Sequence, residues 1–192
     1  MIMLFIFLNF LMIILYIIGG LIVLLLLIAA LMPKKFELRA DTIIHAPQKK
    51  VWEYVRLFAS QKEYSVWVMA DPNIQLTYTW VDGTVWATQA RDSQDKNVGA
   101  GQQEMMAITE DDFTKSFEVE IRFKRPMVAT NHARTTLEDV GHGHTKVSNV
   151  FRGNNPRPGN LLSSLFLPKV QKDMQQNMNN LRMQIEKKYK AE

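Results

Sequence analysis

Apolar and polar residues alternate with different periods in different parts of this chain. Residues 1–32 contain no Asp, Glu, Lys, Arg or His, and Asn9 is the only strongly polar side chain among them. At about 1.5 Å per residue, a helix of this length exceeds the ~30 Å hydrocarbon thickness of a bilayer. The pattern therefore predicts one transmembrane helix over residues 1–33, since the run is too short to cross twice.

The remainder, residues 34–192, has the size of one domain. An alternation of period two predicts a strand at 36–44, and helical spacing after Pro47 predicts a helix, with a second short helix at 60–64. Turn residues separate six further predicted strands. These are Ile74–Trp80, Thr84–Arg91, Ala100–Thr109, Phe113–Phe123, Val128–Leu137 and Thr145–Arg152.

The last part of the chain is predicted to be a long helix that follows a Pro/Gly-rich connection at 154–160. Its apolar residues recur at spacings of three and four, as in a helix that packs on a sheet. They are Leu161, Leu162, Leu165, Phe166, Val170, Met174, Met178, Leu181, Ile185 and Tyr189. The element order predicts an α+β domain in which a curved antiparallel sheet of about seven strands wraps around this helix.

The charges bear on partners and on topology. All 23 Lys and Arg and all 19 Asp and Glu lie after residue 33, and their interspersed net charge of +4 does not indicate nucleic-acid binding. Because Lys34 and Lys35 follow the apolar run and no charge precedes it, the positive-inside bias predicts a cytoplasmic C-terminal domain. The opposite orientation remains open, as does a signal peptide cleaved near Ala29-Ala30. The apolar run is about twice the length typical of a signal peptide and lacks a basic n-region.

Several short motifs in residues 36–186 together resemble the START-like, or SRPBCC, superfamily, specifically its bacterial polyketide cyclase/dehydrase and lipid transport members. The order and spacing of the motifs carry the resemblance. The motifs are Ile44-His45-Ala46-Pro47 before Val51-Trp52, Tyr64-Ser65-Val66-Trp67 before Asp71-Pro72-Asn73, Asp82-Gly83-Thr84-Val85, Val98-Gly99-Ala100-Gly101, Gly143-His144-Thr145-Lys146-Val147, and Leu181-Arg182-Met183-Gln184-Ile185-Glu186. The resemblance implies a helix-grip fold and, with the anchor, a bacterial inner-membrane location.

The resemblance also implies a hydrophobic ligand held between the sheet and the C-terminal helix. Departures from the family pattern at Trp86, Arg91, Tyr64 and Val66 bear on this site, and Trp86 would fill space that relatives leave open. The predicted apolar lining is Trp67, Trp86, Met105, Phe117, Val119, Phe151, Met174, Met178 and Leu181. The same residues would equally form a filled hydrophobic core.

Strand alternation places three polar residues, Asn131, Thr135 and Asn149, on the inner face together with Leu137 and Val147. Two interpretations stand. These side chains either satisfy each other within a hairpin, as most buried polar groups do, or orient the polar end of a ligand.

Three functions are compatible with the sequence. The leading hypothesis is a membrane-anchored module that binds a hydrophobic or lipid-like molecule, with no cofactor. The second is a scaffold that holds an unidentified protein partner. The third is a cyclase, dehydratase or hydrolase, for which Glu104, Arg91 or His132 could converge inside the sheet, although no catalytic motif selects them. The pair His142 and His144 lacks further ligands at metal-site spacing, so no metal is predicted.

Overall fold

The computed structural model describes residues 2–95 and 98–190. Their contacts divide the chain into two units, residues 2–34 with 155–166 and residues 35–154 with 167–190. Between the predicted strands that end at Arg91 and begin at Ala100, residues 96 and 97 lie outside the described ranges.

The first unit is built on helix α1, Ile2–Leu31. Residues 3–31 are long and apolar enough to cross a membrane, with a mean hydropathy of 3.2 and 0% of the most apolar window buried. A soluble core helix would bury such side chains, because exposed apolar surface in water is unfavourable. The structure therefore contains the apolar helix that the sequence predicts, and a signal sequence would share these properties.

The second unit contains a seven-stranded antiparallel sheet in the order β1-β7-β6-β5-β4-β3-β2. Strands β2 to β7 lie side by side in chain order. The first strand, β1, pairs with β7 and forms the other edge of the sheet. The strands are β1 Lys35–Ile44, β2 Gln75–Thr79, β3 Thr88–Asp92, β4 Ala100–Glu110, β5 Thr114–Arg125, β6 Ala129–Asp139 and β7 Thr145–Asn154.

Short helices connect β1 to β2, and a long helix closes the fold. The short ones are α2 Gln48–Val55, a 3₁₀ turn Phe58–Ser60, α3 Gln61–Tyr64 and α4 Val66–Met69. The long helix, α5, runs from Asn160 to Lys190 and continues through Pro168. Its residues from 167 onward belong to the second unit. This arrangement is the helix-grip fold predicted from the sequence.

One strand prediction needs correction. The sequence predicted a strand from Thr84, whereas β3 begins at Thr88. Trp86 N–H donates to the Met105 carbonyl and Met105 N–H donates to the Ala87 carbonyl, both at 2.9 Å. Two residues thus oppose one, which is a β-bulge, and Trp86 adopts the left-handed φ of 72°. The bulge breaks the alternation on which the prediction relied.

Candidate functional site

The face of the sheet that packs against α5 is called the concave face, and one half of it is filled by buried side chains. Side chains that the sequence assigned to a ligand pocket pack here into one buried cluster with α5 and α2, and Met105 and Leu181 are both 0% exposed. Trp67 and Phe151 pack against its border and are partly buried. The predicted lining residues within this cluster are Met105, Phe117, Val119, Met174, Met178 and Leu181. They behave as the filled core that the sequence left as an alternative.

Amide side chains fix α5 on this half of the sheet. Gln171 and Gln175 donate to the carbonyls of Arg39 and Asp41 on the edge strand β1, at 2.7 and 3.1 Å. These bonds satisfy carbonyl groups that an edge strand otherwise leaves open. On the other side of the helix, the N–H of Val66 donates to Asn177 Oδ1 at 2.7 Å. The helix is therefore held along both of its flanks.

The predicted inner polar residues differ in how they are satisfied. Asn149 Nδ2 donates to Thr135 Oγ1 at 2.8 Å, across the β6–β7 pair. This bond agrees with the interpretation in which the two side chains satisfy each other. Asn131 is 7% exposed, and its Oδ1 has no hydrogen-bond partner among the described residues.

A polar network that the sequence did not reveal lies further along the concave face. Gln89 is 2% exposed and donates to the Phe58 carbonyl and the Tyr78 hydroxyl at 3.1 and 3.2 Å. Gln103 Nε2 donates to Gln89 Oε1 at 2.7 Å and to Gln61 Oε1 at the same distance. All polar atoms of the Gln89 side chain thus have partners, so this network has a structural role.

Beyond that network the large side chains of the concave face are only partly buried, and this part is called the open half; its central feature is Arg91. Arg91 lies beside Gly101 on β4, and its guanidinium carbon sits 5.5 Å from the centre of the Phe123 ring on β5. Because Gly101 has no side chain, the arginine can pass over β4 to reach that ring. Burial lowers the pKa of Arg91. No described residue pairs with the guanidinium by hydrogen bond or ion pair.

A second glycine allows two side chains to pack closely at the other side of this half. Gly153 on β7 lies between Phe36 and Asn131, and a Cβ there would come within 2.3 Å of Asn131 Oδ1 and 2.4 Å of Phe36 Cζ. A groove of about 360 Å³ lies at this end of the β1–β7 pair. It is lined by Phe36 and Gly153 and by three residues of the opposite face, Lys35, Glu37 and Arg152. The partly buried rings of Phe36, Phe123 and Phe151 give this open half an apolar floor.

The side chain of Trp86 is not buried in the concave face. It is 58% exposed, because the bulge and its left-handed backbone turn the residue away from the position that regular alternation gives it. Trp86 is therefore not part of the buried interior, and its assignment to a ligand site stays a prediction.

The residues proposed for an enzyme do not converge. Arg91 lies on the concave face together with Gln89. Glu104 lies on the opposite face of the sheet, where its carboxylate pairs with Arg122 at 2.7 Å. His132 is exposed between the inward-facing Asn131 and Ala133. Three candidates on two faces of a sheet cannot share one substrate atom.

The histidines of the β6–β7 turn have structural neighbours. His144 packs edge-on against His45 with ring centres 4.6 Å apart, and His45 Nδ1 lies 3.1 Å from Glu186 Oε1. His142 is exposed at the tip of the turn with φ of 54°. Over the described ranges, no group of three or more potential metal ligands occurs.

Comparison with known proteins gives the fold. No protein-family model and no curated protein sequence matches the chain. A hypothetical protein from Helicobacter pylori superimposes with a TM-score of 0.60 and 10% identity, over 77% of this chain and 86% of its own. Norcoclaurine synthase from Thalictrum flavum, in complex with dopamine and hydroxybenzaldehyde, superimposes with a TM-score of 0.59 and 9% identity. The alignment covers 82% of this chain and 87% of the synthase chain.

A third solved structure, Ara h 8.0201, aligns with a TM-score of 0.50 and 12% identity over 77% of this chain and 97% of its own. These neighbours have Bet v 1-like, SRPBCC-type folds, which confirms the predicted helix-grip architecture. At such low identity the likeness concerns the fold, and one fold carries many functions.

Proposed function

We propose that this protein is a membrane-tethered module that binds an apolar molecule with an anionic end. The open half of the concave face is the proposed site. The apolar part of the ligand lies on the rings of Phe36, Phe123 and Phe151, and its anionic group pairs with Arg91. Norcoclaurine synthase, a structural neighbour, forms a complex with dopamine and hydroxybenzaldehyde, so the fold is compatible with small-molecule binding.

The observation that carries the proposal is the unpaired guanidinium of Arg91. A guanidinium has five N–H donors and retains its charge at all physiological pH values. Arg91 is partly buried, and taking such a group partly out of water without an acidic partner is unfavourable. Here the described residues offer only the face of Phe123. A carboxylate or phosphate on a ligand would supply the missing partner, since both match the guanidinium geometry.

The tether follows from the apolar surface of α1. Its length and exposed apolar side chains suit a bilayer core, and Lys34 and Lys35 at its end favour a cytoplasmic second unit. We expect the protein in the inner membrane of a bacterial cell. Labelling of a single cysteine introduced at Lys34 with a membrane-impermeant maleimide tests this topology, because the natural chain has no cysteine. Labelling in intact cells would refute a cytoplasmic domain.

Binding is tested by native mass spectrometry of the full-length protein released from dodecyl maltoside micelles. The probes are oleate, an oleyl phosphate and the uncharged oleyl alcohol. Loss of a charge-assisted hydrogen bond weakens binding by about 1.5–3 kcal/mol. The Kd of Arg91→Met for each of the two anionic probes should therefore be at least about tenfold higher than that of the wild type. Arg134→Met is the matched control, since Arg134 pairs with Glu118 on the opposite face.

The outcomes separate the parts of the proposal. Equal retention of alcohol and anions by the wild type and by Arg91→Met would refute the role of Arg91 while leaving an apolar site. Retention of none of the probes would refute ligand binding itself. A protein that co-purifies in fixed ratio, with no small molecule bound, would favour the scaffold hypothesis. A preference for phosphate over carboxylate, or the reverse, identifies which anion the site selects.

A further inference from the structure

The last turn of α1 is capped by side chains from residues 155–166 of the same unit. Asn160 Nδ2 donates to the carbonyls of Ala29 and Met32 at 2.8 and 3.1 Å, and Arg157 Nε donates to the Ala29 carbonyl at 2.9 Å. The Arg157 guanidinium also donates to the Ala30 carbonyl. The last carbonyls of a helix lack partners within the helix, and a cation there also interacts favourably with the helix dipole.

The bond from Asn160 to the Ala29 carbonyl is buried, whereas the bond from Arg157 to the Ala30 carbonyl is exposed. Ala29 and Asn160 are each 1% exposed. The N–H of Asn155 also donates to the Lys34 carbonyl at 2.8 Å, immediately after the apolar helix ends. The beginning of α5 is therefore fixed at the level where α1 would leave the hydrocarbon core.

The first turns of α5 present an uncovered apolar face at this level. Leu162, Leu165 and Phe166 are 43%, 72% and 53% exposed. Their spacing of three and four residues places them on one side of the helix, whereas Ser164 lies on the opposite side. Such a face would be unfavourable in water, and it occurs in the unit whose main helix is apolar and exposed.

We infer that residues 160–166 lie in the bilayer interface, with the side chains of Leu162, Leu165 and Phe166 inserted among the acyl chains. The inference rests on the proposed membrane insertion of α1. The lipid bilayer is the occupant because it would cover the exposed surface of α1 and the adjoining face with one apolar medium. Arg157 and Lys34, at the same end of α1, lie where anionic headgroups attract cations. The tether is thus two-part: a spanning helix and an interfacial one.

The absence of native cysteine permits a direct test by nitroxide labelling of single-cysteine variants. Full-length Leu165→Cys and Phe166→Cys are reconstituted in vesicles of phosphatidylcholine and phosphatidylglycerol. Collision rates with oxygen, which concentrates in the bilayer, and with a water-soluble nickel chelate are measured by electron paramagnetic resonance. Ile17→Cys in the middle of α1 is the reference for the bilayer core, and Ser164→Cys is the matched control on the other side of α5.

Both labels at Leu165 and Phe166 should favour oxygen over nickel by several-fold relative to Ser164, with a ratio below that of Ile17. Nickel accessibility equal to that of Ser164, while Ile17 remains protected, would overturn the inference and leave the anchor intact. A water-accessible Ile17 would refute the anchor and the inference together. Dipolar broadening between labels at Leu165, with low oxygen accessibility, would place a second copy of the chain on this face and also overturn the inference.

Discussion

Replacement of Met105 by alanine tests whether the central part of the concave face is a filled core. Met105 is 0% exposed and lies on β4 opposite Val119, within the buried cluster that α5 covers. In an open ligand pocket, a truncated methionine would leave a space that solvent or ligand could enter. In a packed core the truncation leaves a cavity whose walls have lost their contacts.

The backbone geometry sets the expected magnitude. Truncation of a buried methionine to alanine lowers the free energy of unfolding by about 2–5 kcal/mol, depending on how far the site can collapse. The N–H and C=O of Met105 are both bonded at the bulge to Ala87 and Trp86, at 2.9 Å, so the strand cannot move inward. We therefore expect about 3–5 kcal/mol, which corresponds to a fall in Tm of about 6–20 °C for a domain of this size.

The assay is thermal unfolding of the full-length protein in detergent, followed by tryptophan fluorescence. Met106→Ala is the matched control, because Met106 is the neighbouring residue and is 37% exposed. Its substitution should change the free energy of unfolding by less than about 0.5 kcal/mol. A loss below about 1 kcal/mol for Met105→Ala would refute the packed-core interpretation, by comparison with the range for buried methionines.

Further substitutions test other parts of the second unit. Asn177→Leu leaves the N–H of Val66 without its acceptor. It should lower the free energy of unfolding, measured by chemical denaturation, by about 1–3 kcal/mol. Gly101→Ala places a Cβ 2.7 Å from a carbonyl oxygen of the neighbouring strand. The resulting overpacking should reduce the free energy of unfolding by about 1–3 kcal/mol and so lower Tm in a thermal melt. The hydrogen bond from Lys188 lowers the pKa of Glu63 below its ordinary value of 4.5. The pair therefore stabilises the fold above that pH and less as pH falls through the folded-state pKa, so Lys188→Met should narrow the stability difference between pH 7 and pH 3.

The parts of the fold that were predicted from sequence are those with uninterrupted periodicity. The alternation around Phe117 and Val119 persists through β5, Thr114–Arg125, because one face is buried and the other is solvated. The spacing of Met174, Met178 and Leu181 likewise persists in α5, where all three are buried. In both elements each local preference agrees with the burial that the tertiary structure imposes.

The failures of prediction occur where tertiary pairing overrides the local pattern. The bulge at Trp86 depends on the register between β3 and β4, which a single strand does not encode. Similarly, alternation placed Arg91 on β3 but could not show that no described residue would pair with it. Partner assignment requires the neighbouring strands and their spacing, and Gly101 and Phe123 are distant in sequence from Arg91.

The polar groups of the concave face divide by whether the protein satisfies them. Gln89 finds every partner within the chain, and Asn149 bonds to Thr135, so the structure alone accounts for these residues. Arg91 and Asn131 Oδ1 lack such partners among the residues described, and each lies beside a glycine of the neighbouring strand. Function is one explanation for an unsatisfied polar group, and among the described residues Arg56 Nε and Asn160 Oδ1, outside this face, also lack partners. The division therefore favours the open half of the face as the binding site, with the Gln89 network and the packed core holding that half in position.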